Sequence, residues 1–238
     1  MKTTFFLLAL GATMTMSSCS GSTAKEGTSE NNSEGASVRK PLPEAIEENN
    51  KANFLSLEKA DLEDAIKHFD KALEIDTLYE LAYRNKMHFL LELERNDEAL
   101  EHADLVIKRF SRWPGSYIQK GMVLHWTGHY DEVAEPMKQA LAMLEDSLKI
   151  EERDSVRCRY LLDRAIAKRF LDMPDYYNQI ESERAFLEKQ FKNDTTAVNN
   201  LYKSLLEDSK DKMVRDMLNI REAAIRGTKK NVTSDNPQ

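Results

Sequence analysis

Between Glu48 and Leu144 the chain carries one period inside another. Locally, apolar side chains cluster at the three- and four-residue spacings of a helix face. Phe54, Leu55 and Leu57 lead to Ile66, Phe69 and Leu73, and Leu90, Leu91 and Leu93 lead to Leu100, Val106 and Ile107. Over longer range the pattern returns every 34 residues: Ala65, Ala99 and Val133 share one offset, and Ala72, Val106 and Ala140 another. An acidic dipeptide precedes each first member, as Glu63-Asp64, Asp97-Glu98 and Asp131-Glu132. Small residues at fixed offsets are what two closely crossing helices demand. Gly121 marks another close approach, and Gly128 ends its helix before Tyr130 opens the next. Each copy therefore predicts two helices of about 14 residues. No single pair can bury its stripe alone, so the pairs must stack, and three units are about the minimum for a stable array.

Beyond Leu144 the pattern loosens. The sixth helix runs on to Ile150, with Pro136 starting or bending it, and Asp154 is the expected N-cap of the next. That helix has Tyr160, Leu161, Ile166, Ala167 and Phe170 as its apolar set, and Met173-Pro174 breaks it. Tyr176, Tyr177, Ile180, Leu187 and Phe191 stripe its partner, making a divergent fourth pair displaced by an insertion of about a dozen residues. Two more helices are expected, from Thr196 to Glu207 and from Lys210 to Arg226, the last serving as a polar-faced cap that Gly227 stops. A disordered tail follows to Gln238. The resulting division is a leader at 1–18, a tether at 19–43, three repeats at 44–147, the fourth pair at 148–193, capping helices at 194–227 and the tail at 228–238.

The 34-residue period with its small-residue offsets resembles the tetratricopeptide repeat (TPR) family. The resemblance implies an all-α fold, a TPR-type α-solenoid of antiparallel helix pairs with about ten helices in all. It also implies a concave groove, lined by the first helix of each pair, that takes a protein or peptide partner. The family's groove positions fall on Asn50, Phe54 and Leu57 in the first copy, on Arg84, His88 and Leu91 in the second, and on Ile118, Met122 and His125 in the third. Phe54, Leu91 and Met122 have a second reading, as packing residues between neighbouring helices. Some TPR domains grip an acidic C-terminus with a five-position clamp of basic and amide residues. Here Asn85 fits its place, but Asn50, Phe54, Gly115 and Gln119 stand where Lys, Asn, Lys and Arg would be required, so that clamp is missing.

Composition narrows the field. With 41% hydrophobic residues, eight Gly and six Pro, helix is favoured over sheet. A net charge of −7 argues against nucleic acid, which needs a basic footprint. The N-terminal stretch adds a location. Lys2 gives a positive end, Phe5 to Leu10 an apolar run, and Met16-Ser17-Ser18-Cys19 a small-residue site ending in cysteine. That stretch resembles the lipobox of bacterial lipoproteins, with Met16 in place of the usual Leu, and implies lipidation at Cys19. The alternatives are a secretory peptide cut elsewhere or an uncleaved anchor. Several acyl chains on one residue exceed what stable anchoring requires. The Ser, Gly, Thr, Glu and Asn that follow read as a flexible tether spanning about 25 to 30 Å. Ser20 stands where an inner-membrane retention signal would place Asp, so the outer membrane, facing the periplasm, is expected by resemblance to that sorting rule.

Candidate chemistry is sparse. His125 and His129 are four apart, but Gly128 at the expected helix end parts them and no acid follows His125 as a zincin would require. Cys158 reads as a small packing residue. Carboxylates interleave with Lys, as a solvated face does. Four Asp-Ser/Thr-X triplets, at Asp76, Asp146, Asp154 and Asp194, resemble a bacterial O-glycosylation sequon, and helix capping explains them equally. No cofactor, metal or catalytic residue is indicated. The expected function is a membrane-anchored scaffold or adaptor; an envelope hydrolase or glycan-binding lipoprotein on the same array is the alternative.

Overall fold

Proline at a first helical position and a side-chain cap at the next helix set the first pair of the computed structural model, which describes residues 39–55, 61–191 and 195–218. Helix α1 (Pro43–Phe54) uses Pro43, whose missing N–H costs nothing there. Helix α2 (Leu62–Ile75) is capped by Asp61, whose carboxylate accepts from the Asp64 N–H at 3.0 Å. Then come α3 (Glu80–Glu92), α4 (Asn96–Arg109), α5 (Pro114–Trp126), α6 (Ala134–Ile150), α7 (Asp154–Phe170) and α8 (Tyr176–Gln190). Each helix packs on the next, so neighbouring helices form the successive pairs of an all-α TPR-type solenoid, with no strand among the described residues.

The offset residues do what their size requires. Ala65, Ala99, Ala72, Val106, Val133 and Ala140 are all buried; Ala65, Ala99, Val133 and Ala140 lie in the main core, and Ala72 in a second, smaller cluster with Ala45, Tyr79 and Ala82. Gly121 is a true close approach, since a Cβ there would collide with Met137 of α6. The turn between helices of a pair also recurs. Glu94, Gly128 and Asp172 adopt left-handed backbone with φ of 58°, 85° and 52°. At each, the following N–H reaches back five residues: Arg95 to the Leu90 carbonyl at 2.9 Å, His129 to Leu124 at 2.8 Å, Met173 to Lys168 at 3.0 Å. This is the Schellman closure. It marks α7 and α8 as the fourth pair, its turn 44 residues after Gly128 rather than 34.

Some boundaries differ from expectation. Asp154 is the first residue of α7 and Arg153 holds the cap position, with no side-chain cap bond. A short 3-10 turn at Tyr130–Glu132 precedes α6, so Pro136 sits buried inside the first turn. Tyr177 is exposed, and the α8 stripe consists of Ile180 and Leu187, buried, with Tyr176 and Phe191 packed against the core. Helix α9 (Thr195–Tyr202) passes into a π-helical stretch at Lys203–Glu207, closed by the Asp208 N–H on the Lys203 carbonyl at 3.0 Å. Helix α10 (Lys210–Met217), capped by Ser209, packs on α5 as well as on the π stretch. The leader, Cys19, the tether to residue 38, Leu57 and the helix beyond Leu218 lie outside the described residues.

Candidate partner-binding groove

The predicted groove residues lie on α1, α3 and α5, the first helices of the first three pairs. Asn50 and Phe54 on α1 are exposed, and with Glu47, Lys51, Leu55 and His68 they line a shallow depression of about 410 Å³. On α3, Arg84 is half-buried and makes no hydrogen bond or ion pair with the described residues. Burial holds its guanidinium below the ordinary arginine value. Asn85, at the amide position of the absent clamp, instead donates to Asn49 Oδ1 at 2.9 Å and satisfies that buried side chain. Leu91 and Met122 are buried, as their packing reading requires, whereas Phe54 is not; Ile118 is buried too. Gln119 is also buried, and its Oε1 has no hydrogen-bond partner among the described residues.

Two residues that the period did not single out complete the floor. Arg159, Asp163, Ile166 and Phe170 recur at helical spacing along α7. Arg159 reaches Glu80 of α3 at 3.4 Å and lies 4.5 Å over the Trp113 ring, so α3 and α7 meet across the start of α5. One turn on, Asp163 has a buried Oδ2 with no partner among the described residues, and burial raises its carboxyl to about 6 despite the nearby Arg159. The signal for Asp163 was a carboxylate inside an apolar period. Phe170 meets His125 edge-on at 5.3 Å.

The far half of this face is covered. His88 Nδ1 lies 3.1 Å from the Leu218 carbonyl, and His125 Nε2 lies 2.7 Å from Asp211 Oδ1. Both partners belong to the C-terminal segment around α10, so two predicted groove residues touch the chain itself.

The reactive candidates have other occupations. His129 Nδ1 turns to Thr127 Oγ1 at 2.9 Å while His125 turns to Asp211. Among the described residues no three metal-binding side chains converge, and no helix is long and apolar enough to cross a membrane. Burial pushes the Cys158 thiol up to about 11, which keeps it protonated and unreactive near neutral pH. Asp76, head of one Asp-Thr triplet, is a buried structural acceptor. It takes two bonds from Arg39, at 2.9 and 2.7 Å, and one each from the Leu42 and Leu78 N–H groups at 3.0 Å.

This architecture defines a helical-repeat protein of the TPR type. No protein-family profile matches the chain. It is similar to Protein STIP1 homolog of Dictyostelium discoideum, a TPR-containing protein, at 30% identity over 95 residues. That match covers 37% of this chain and 17% of the relative's length.

Proposed function

We propose that the protein is a non-catalytic TPR scaffold, anchored to the bacterial envelope through lipidated Cys19, that holds a protein or peptide partner in its concave groove. The observation that carries this reading is the groove itself. Exposed Phe54 and Asn50 on α1, Arg84 on α3, unpaired among the described residues, and Asp163 on α7, whose Oδ2 has no partner among them, lie on three of the first helices, where an extended ligand would meet both apolar and hydrogen-bonding groups. The similarity to a TPR-containing protein supports the same class. The anchor and the periplasm-facing outer-membrane location rest on the leader and on Ser20. In this reading the net negative array stands off the membrane on its tether.

Two measurements test it. Cells fed a labelled fatty acid should label the wild-type chain and not a Cys19→Ala variant, which should move from membranes to the soluble fraction. A photo-crosslinking residue placed at Phe54 should yield discrete protein adducts in intact cells, and Arg84→Ala with Asn50→Ala should reduce them. An unlabelled wild-type chain would overturn the anchor, and adducts indifferent to both substitutions would overturn groove binding.

A further inference from the structure

Past the fourth pair the chain turns back instead of lengthening the stack. Arg169 of α7 donates to the Ser204, Leu205 and Asp208 carbonyls, which fixes the point of return. From there α10 lies on α5 with Met213 and Val214 wholly buried and Leu218 nearly so. The opposite face is a solvent ladder in which Lys212 bridges Asp208 and Asp216, each at 2.7 Å. Helix α10 is thus amphipathic and short, eight residues, and so few residues do not hold a helix in water without a surface to sit on. The array supplies that surface. It reads both ends of the segment, His125 meeting the Asp211 carboxylate and His88 the Leu218 carbonyl.

We propose that the α3–α5 part of the groove is a receptor for an amphipathic helix from a partner protein, and that α10 is a tethered stand-in which such a helix displaces. The partner's chemistry is written in the seated helix: two adjacent apolar residues, a second apolar pair four positions on, and a carboxylate two positions ahead of the first, as in Asp211, Met213-Val214 and Met217-Leu218. The binding mode is helix in groove. Because α10 is attached, it competes at high effective concentration, and a free helix sees a receptor open only part of the time. This inference rests on the groove reading and is independent of the lipid anchor.

The test uses the full chain and a fluorescein-labelled synthetic peptide with the sequence of residues 203–218. Wild type should bind the peptide weakly. Met213→Asp with Val214→Asp ejects the tethered helix and should tighten binding at least about tenfold, and adding Met122→Lys should abolish it. Asp211→Lys, at an exposed position, keeps the apolar contacts should the double variant misfold, and should tighten binding by a smaller factor, about threefold. Unchanged binding in a variant that keeps its helical circular dichroism would overturn the proposal, as would a wild-type dimer that exchanges α10 between two copies. Failure here with Phe54 adducts intact would sink the stand-in alone; peptide binding without adducts in cells would sink the scaffold reading.

Discussion

The two halves of the groove are built on one period and end in opposite states. On α1, Phe54 occupies a groove position and remains 57% exposed, whereas on α5 Ile118 and Met122, at the same two offsets as Asn50 and Phe54, are only 3% and 8% exposed. The array makes part of this difference, since α5 packs against α4, α6 and α7 while α1 packs on α2 at the start of the described array. The cover adds the rest: α10, with Met213 and Val214 buried, lies on α5, and no described residue closes the α1 half over Phe54. A repeat dictates where side chains point. What comes to rest on them is decided by a segment outside the repeat, nearly ninety residues further along.

The largest expected effect lies beneath both halves, in the array. Phe69 is fully buried on α2 and stacks on Phe89 of α3 at 5.1 Å. Phe69→Ala should cost about 3–5 kcal/mol in urea unfolding, as large cavities do. Met213 is as deeply buried, but it sits on a returning helix. If α10 can leave its seat, Met213→Ala forfeits no more than the free energy of seating, and its cost should stop at about 2 kcal/mol, the bottom of the usual range for a core Met. A Met213→Ala cost equal to that of Phe69→Ala would mean that the cover unfolds only with the array.

An intermediate effect depends on pH. Asp163, raised from 3.8 to about 6 by burial, holds its proton in the folded chain after the unfolded chain has lost it. Its contribution to stability is full at low pH and is lost as pH rises toward 6. His102 runs the other way. Burial lowers it from 6.5 to about 4, and its neutral ring stays 3.0 Å from the Tyr83 carbonyl, so stability falls as pH drops through that window. Each contribution is at most about 3 kcal/mol. Between pH 5 and 6.5 they oppose each other, and wild-type stability should change little. Asp163→Asn removes one side, so its stability should climb with pH by about 1–2 kcal/mol over the same window. A wild-type profile that climbs as steeply as the variant's would show that Asp163 is hydrated and ionised, and a flat profile in the variant would show that His102 is not held neutral by burial.

The sequence made the array legible for a steric reason. Helices that cross closely exclude large side chains, so Ala65, Ala72, Ala99 and Gly121 are forced, and a forced residue leaves a countable trace. The fourth pair was legible as two stripes, and its Schellman turn at Asp172 fits the left-handed requirement that Gly128 made visible one unit earlier. The path of α10 was not legible. Met213 and Met217 stripe one side of a helix whether that side caps the last pair or folds back on α5, and no local rule separates the two. Asp211 gave no warning either, because an acid near the start of a helix is ordinary until it meets His125. Of the groove residues, the position of each in its repeat could be counted from the period, while Asn85 turning to Asn49 and Arg84 standing unpaired among the described residues depend on neighbours 36 positions away and on α7.

The smallest effect on folding should come from the open half, and it is the most telling for function. Phe54 is more than half exposed, so Phe54→Ala removes little packing and should shift stability by less than about 0.5 kcal/mol. An exposed aromatic beside the depression formed with Asn50 and Leu55 is, however, the kind of anchor that dominates an interface once a partner covers it. A contact of that kind is worth 2 kcal/mol or more, roughly thirtyfold in affinity. Isothermal titration of a partner identified through the Phe54 adducts should therefore show a large loss of affinity in a variant whose melting curve overlays the wild type. A variant that melts earlier and binds unchanged would reverse the assignment, making Phe54 a packing residue and moving the contact surface onto the half that α10 covers.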